Sequence, residues 1–254
     1  MRFRASLEFG SAVALGVLVL IGSSMNTATT QERPIYKSTG GEATIVGKIL
    51  FAGKPPKPMR IDMSADPICY KVNPHPTTDW IIVNAHKLAN VVVYVRSDSL
   101  DAYSFETPSS EVTLEHRGCR YVPHVLGIQT NQTLKILNSD PTFQNTYIGL
   151  KNNPYWNHAQ DVGAPPLKLR LVSPELFAPV KTALHPWEKA YLSVFSHPFF
   201  SISGTDGSYK ISGLPPGQYT IVAWHEKLGE QSVDLFLAGS EHKFLDFTYN
   251  ASDH

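Results

Sequence analysis

Charge is scarce in this chain. Asp, Glu, Lys and Arg make up 17% of its 254 residues, below the roughly 25% of an average soluble domain. The two signs cancel to a formal net charge of +0, so nothing in the balance points to nucleic acid or to an anionic membrane surface. Catalytic signatures are missing too. There is no G-x-S-x-G elbow, no Walker loop, no G-x-G-x-x-G, no C-x-x-C and no H-x-x-x-H or H-E-x-x-H pair, which removes the motif-based case for a hydrolase, a nucleotide-binding enzyme, a dithiol oxidoreductase or a zinc protease. His225-Glu226 could be imagined as a proton-transfer pair, but neighbours on a strand point to opposite faces. Asp140 and Asp161 read as exposed carboxylates without a partner. The expectation is a protein that is not an enzyme. Convincing helices are absent as well; Ser64-Ala65-Asp66-Pro67 and Ser173-Pro174-Glu175 could each start a helical turn, but neither leads into a long amphipathic run.

What is present begins with an export signal. Arg2 and Arg4 precede an apolar run from Phe9 to Ile21, which at about a dozen residues is short for a membrane span and suits a signal-peptide core. Gly22, Ser24 and Ala28 offer small residues for cleavage, and no cysteine follows for lipid attachment. Residues 1–28 are therefore read as a signal peptide or an N-terminal anchor, and 29–42 as a flexible linker. This places the protein in a periplasmic or extracellular setting, with the inner membrane touched only through that anchor. Cys69 and Cys119, the only two cysteines, read first as a disulfide in such a compartment. A metal-binding or reactive thiol stays open, because Cys119 lies close to His124 in G-C-R-Y-V-P-H.

Hydrophobic residues reach 42%, and 19 Pro and 17 Gly punctuate the chain. Between them, Thr44 to Phe51, Asn90 to Val95, Glu111 to His116, Thr133 to Asn138, Leu167 to Val172, Ala190 to Phe195, Tyr219 to Trp224, Ser232 to Leu237 and Lys243 to Phe247 alternate with period two. The fold class is all-β, of sandwich or barrel architecture. Asp206-Gly207 is a hairpin signal. Pro215-Pro216-Gly217 makes a rigid turn into a strand with Tyr219, Ile221 and Ala223 on one face.

The run D-G-S-Y-K-I-S-G-L-P-P-G-Q-Y-T-I, from Asp206 to Ile221, resembles the carboxypeptidase regulatory-like family, a transthyretin-like β-sandwich. That family opens on a strand of the type found far upstream, G-K-I-L-F-A-G-K-P-P from Gly47, followed by an apolar strand like A-N-V-V-V-Y-V from Ala89. The resemblance implies a discontinuous domain, 43–104 and 199–250, with 105–198 inserted; a tandem arrangement starting near residue 43 is the simpler alternative.

The inserted part resembles cupredoxins, the Greek-key barrels or sandwiches that hold blue copper. Tyr121-Val122-Pro123, Ile128 and Leu134 to Asn138 match their entry strands, Asn138-Ser139-Asp140 matches their N-x-D turn, and K-T-A-L-H-P-W-E (Lys181 to Glu188) matches their second ligand stretch. In that alignment Gln144 falls where the family has its first histidine, Thr182 at the cysteine, His185 at the second histidine and Glu188 at the methionine. Blue copper needs a thiolate, two imidazoles and a weak axial ligand. The resemblance therefore implies a degenerate copper site, with no cofactor and no bound metal.

Ten histidines call for weighing. His185, His124, His197 and His225 are expected to be structural, and His75, His86, His116, His158, His242 and His254 to be surface residues. The loop K-N-N-P-Y-W-N-H supplies Asn152, Asn153, Tyr155 and Trp156, the amides and flat rings a carbohydrate site uses, against the alternative that it closes over the barrel. The reading is a non-catalytic binding or structural protein of the cell envelope whose partner is an unidentified envelope protein or glycan. A carbohydrate-binding module and a copper electron carrier with unusual ligands are the alternatives.

Overall fold

Strands whose two faces are both buried read as continuous apolar runs, and strands with one wet face alternate. That rule organises the computed structural model, which describes residues 33–251. The signal-peptide or anchor segment, the first residues of the linker and His254 lie outside the described residues. Strands β1 (Ala43–Ala52), β2 (Val83–Asn84), β3 (Lys87–Leu88) and β4 (Val92–Arg96) come first, with a short helix α1 (Pro67–Val72) between β1 and β2. Then follow β5 (Val112–His116), β6 (Tyr121–Val122), β7 (Val125–Gln129), β8 (Leu134–Asn138), β9 (Gln144–Ile148) and β10 (Trp156–Gln160). Next are β11 (Leu167–Leu169), β12 (Glu175–Lys181), β13 (Lys189–Phe195), β14 (Phe200–Ile202) and β15 (Ser208–Leu214). The last four are β16 (Gly217–His225), β17 (Gly229–Leu237), β18 (His242–Phe244) and β19 (Phe247–Asn250). No helix among the described residues is long and apolar enough to cross a membrane.

These strands make four sheets. One runs β15-β1-β3-β2, with β18 and β19 both pairing parallel to β1, and a second runs β14-β4-β16-β17. Strands β1 to β4 and β14 to β19 thus share a sandwich, whose core includes Ile45, Phe51, Val93, Ile211, Ile221 and Tyr249. The other two sheets, β10-β9-β12-β13-β7 and β11-β8-β5-β6, contain only residues 112–195. Leu114, Leu134, Ile136, Ile148, Leu192 and Val194 fill the space between them. The fold is all-β, and its sheets stay open rather than closing into a barrel.

β4 shows why its first four residues, Val92 to Val95, are all apolar. Val93 and Val95 enter the first core, while Val92 and Tyr94 face the other way and meet Val125, Phe195 and Val222 in a seam between the two sandwiches. Phe177 and Trp224 stack in that seam with centroids 3.9 Å apart. Asp206-Gly207, expected to close a hairpin, instead turns the chain from β14 in one sheet to β15 in the facing one. Gly207 has φ +68°, and a Cβ there would sit 2.6 Å from the Ile49 carbonyl oxygen, so no other residue fits without moving β1.

The chain crosses between the sandwiches at His197, among the rings of Phe105, Phe195 and Phe199. Its Nδ1 accepts a hydrogen bond from the Phe199 amide at 3.2 Å. Burial holds this imidazole down to about 4, from an ordinary 6.5. A depressed histidine contributes stability that is full above the unfolded value and is lost as pH falls through the folded one. Acidification from pH 6.5 to pH 4 should therefore cost on the order of 3 kcal/mol through this residue. Urea titrations across that range should show a shallower acid slope for His197→Gln than for the wild type, and equal slopes would remove His197 as the cause.

Candidate functional site

The long segment between β1 and β2 reaches over the end of the 112–195 sandwich. Its helix α1 starts because Asp66 caps it: Oδ1 accepts from the amides of Ile68 at 2.8 Å and Cys69 at 3.1 Å, and Pro67 follows at the first helical position. The other carboxylate oxygen of Asp66 faces inward and accepts from His185 Nε2 at 2.9 Å and from the Thr142 hydroxyl at 3.2 Å. Cys69 is joined to Cys119, in the turn between β5 and β6, by a disulfide. The open alternative of a free thiol is thereby resolved. Asn73 adds a bond from Nδ2 to the Gly118 carbonyl at 3.1 Å, so α1 is clamped from both of its ends.

Beneath α1 lies a buried polar network. Glu188 is its centre: Oε2 meets His116 Nδ1 at 2.8 Å, and Oε1 meets His185 Nδ1 at 2.9 Å and accepts from Gln144 Nε2 at 3.0 Å. His116 Nε2 contacts the Thr146 hydroxyl at 2.7 Å. Gln144 Oε1 lies 3.1 Å from His185 Nδ1, and Gln144 Nε2 also donates to Asp140 Oδ2 at 3.2 Å. Asp140 in turn accepts from the amides of Gly118 at 2.6 Å and Cys119 at 2.9 Å. Those amides converge because Gly118 and Cys119 both have positive φ, 67° and 53°, a turn of the kind that binds an anion.

The electrostatics follow from these partners. Both nitrogens of His185 face oxygens that, apart from a protonated carboxyl, can only accept, so both carry hydrogen. Burial pulls its pKa down, but the bonds to Glu188 and Asp66 outweigh burial and the net shift is upward. For Glu188 burial pushes up, yet the bonds from His116 and His185 bring the net below the ordinary 4.5. Asp66 is likewise held below its ordinary range, burial being overcome by its capping amides and His185. Asp140 goes the other way, raised by burial and by the neighbouring Glu188 despite its two amide donors.

The structure thus brings three of the four aligned positions, Gln144, His185 and Glu188, into mutual contact. The fourth, Thr182, is buried at the edge and accepts from the Leu184 amide at 3.2 Å within its own loop. Among the described residues two sets of side chains have ligand atoms within 4.8 Å of one another, Asp66–Cys69–His185 and Cys119–Asp140–Glu188. Neither set, nor the aligned four, fits a type 1 copper ion as it stands. Both sulfurs are tied up in the disulfide, and His185 points each nitrogen at an acceptor rather than at open space.

Two expectations need correction. His116, expected at the surface, is fully buried and bonded to Glu188; it follows Leu114 by two residues on β5, so strand parity puts it on the inward face. Asp140, expected to be exposed without a partner, is buried with three donors. His75, His86, His158 and His242 are exposed. Glu226, in the turn after β16, pairs with His124 of the other sandwich.

In the Asn152–Trp156 loop the amides are already engaged. Asn152 Nδ2 donates to the Pro174 carbonyl at 2.9 Å, and Asn153 Nδ2 to the Ser173 carbonyl at 2.8 Å and to Glu175 at 3.1 Å. Trp156 packs against the sandwich core, while Tyr155 is 74% exposed. Glu175, expected to begin a helical turn, begins β12 and gathers the loop's backbone amides from inside.

No protein-family model matches the sequence, and no curated protein does. Among solved structures the chain is similar to a Cu-containing nitrite reductase from Thermus scotoductus SA-01, with 16% identity and a TM-score of 0.32, over 34% of this chain and 22% of that one. It is also similar to amicyanin variants, one in the reduced state and one in a reduced Cu(I) form, with 11% identity and a TM-score of 0.30, over 40% of this chain and 97% of amicyanin.

Proposed function

We propose that this is an exported binding or structural protein in which a cupredoxin-like sandwich, 105–198, carries a sealed polar network in place of a copper centre and is mounted on a discontinuous regulatory-like sandwich, 43–104 and 199–250. The observation that carries the reading is the closure of the network on itself. Glu188 uses both oxygens on His116, His185 and Gln144, and Asp66 holds the far nitrogen of His185. Buried groups saturated by one another serve rigidity and position rather than turnover. The disulfide supports an oxidising, exported setting. The partner is an envelope protein or a glycan, met through the surface rather than through this interior.

Titration of the disulfide-bonded protein with Cu(II) tests the reading. The expected result is no intense thiolate-to-copper absorption and no stoichiometric tight binding, because no thiolate is on offer. A strong blue band would replace this proposal with a redox carrier.

A further inference from the structure

We propose that reduction of the Cys69–Cys119 disulfide converts the mouth beneath α1 into a site for a d10 cation, Zn(II) or Cu(I), with Cys69 Sγ, Cys119 Sγ and His185 Nε2 as ligands and Asp66 Oδ2 as the fourth. The proposal concerns the reduced protein and does not depend on the function proposed for the oxidised one.

The geometry is close to made. A tetrahedral Zn(II) holds a thiolate sulfur at about 2.3 Å and an imidazole nitrogen at about 2.0 Å, which puts the two ligand atoms about 3.5 Å apart. Cys69 Sγ and His185 Nε2 already stand 3.6 Å apart. Asp66, Cys69 and His185 present ligand atoms within 4.8 Å of one another, and Cys119 Sγ is bonded to Cys69 Sγ. Opening that bond, and turning Cys119 Sγ toward Asp66 and His185, is the rearrangement the ligand atoms need. The second rank is in place as well: Glu188 Oε1 and Gln144 Oε1 hold His185 Nδ1 at 2.9 and 3.1 Å, which fixes the ring with Nε2 toward Asp66 Oδ2 and Cys69 Sγ. At present a proton lies between His185 Nε2 and Asp66 Oδ2, 2.9 Å apart. A cation would take the place of that proton, with the two thiolates formed on binding balancing its charge.

The chemistry balances with a dithiol as reductant. Its two sulfurs become joined to each other, and its two electrons and two protons pass to Cys69 and Cys119, which become thiols. Metal binding then releases both thiol protons and the Nε2 proton of His185. Coupling runs both ways, so bound metal should slow reoxidation of the pair.

The full chain, reduced with excess dithiothreitol and desalted without oxygen, is titrated with Co(II) and then with Zn(II) against a chromophoric chelator. The reduced wild type should bind one equivalent, with sulfur-to-cobalt charge transfer that the oxidised protein lacks. Cys69→Ala/Cys119→Ala should abolish the band, and His185→Ala should weaken Zn(II) by ~10- to 100-fold or more, its fold checked in the disulfide form by circular dichroism. No thiolate band, or equal affinity in His185→Ala, would overturn the proposal. If the reduced protein loses its native dichroism, Zn(II) must restore it; failure to do so would also overturn it.

Discussion

Glu188→Leu should destabilise the protein by about 3–5 kcal/mol, the cost of breaking a buried charge network by removing one partner, and lower the melting temperature by roughly 10 °C for a chain of this size. The leucine side chain fills similar space but leaves His116 Nδ1 without an acceptor and deprives His185 and Gln144 of one each. The penalty is that of stranded donors in a dry interior, not of lost packing. A double replacement separates the two. His116→Phe with Glu188→Leu removes donor and acceptor together, and should cost less than the two single changes summed. Additive losses would show that His116 and Glu188 are not energetically coupled.

The same variant predicts a pH signature. Glu188 has a depressed pKa, so its contribution is present above the ordinary 4.5 and fades as pH falls through the folded value. His185 has a raised pKa, so its contribution is full below the ordinary 6.5 and fades as pH rises through the folded value. The stability gap between wild type and Glu188→Leu should therefore be widest between pH 4.5 and pH 6.5, and narrow on both sides. Asp140 offsets part of the gain, since its raised pKa makes its ionisation unfavourable beside Glu188. A gap that does not change with pH would mean Glu188 acts by shape alone.

How far the sequence carried this picture depends on the distance over which each feature is decided. Strand content was readable because alternation is local: Tyr219, Ile221 and Ala223 face one core as their spacing requires. β4 reads as one more alternating strand, and its burial on both faces comes only with the second sandwich packed against Val92 and Tyr94. His116 was within reach by parity, two residues beyond Leu114, but spacing to other ligand types was weighed instead and placed it outside. Asp66 was out of reach. Its role under His185 depends on a contact across 119 positions, and no local pattern marks a capping residue whose second oxygen faces another sandwich. Glu175 failed for a related reason. Ser-Pro-Glu is a fair start for a helix, and here the buried carboxylate serves the backbone of a neighbouring loop instead. Turn chemistry at Asp206-Gly207 gave the reversal correctly but not which sheets it joined, since a tight turn needs only the left-handed glycine.

Cys69→Ala/Cys119→Ala should lower stability by about 4 kcal/mol in the chain-entropy model, from closure of a loop with a sequence separation of 50. Alanine is the right replacement because both sulfurs are fully buried beside Met63 and Trp187, where a serine hydroxyl would need a partner. Most of the loss should come from the unfolded chain, freed to separate α1 from the β5–β6 turn. A smaller local loss should add to it, because Asp66 then holds His185 from a helix kept in place only by hydrogen bonds. Equilibrium urea unfolding gives the total, and amide exchange at Cys69, Tyr70 and Asn73 locates the local part, since these backbone bonds belong to α1 and its capping residues. A loss below about 1 kcal/mol would mean that the unfolded ensemble already keeps the two positions together. Fast exchange confined to α1, with slow exchange kept in β8 and β13, is the expected pattern, because those strands draw their stability from the sandwich core and the helix draws its own from the link.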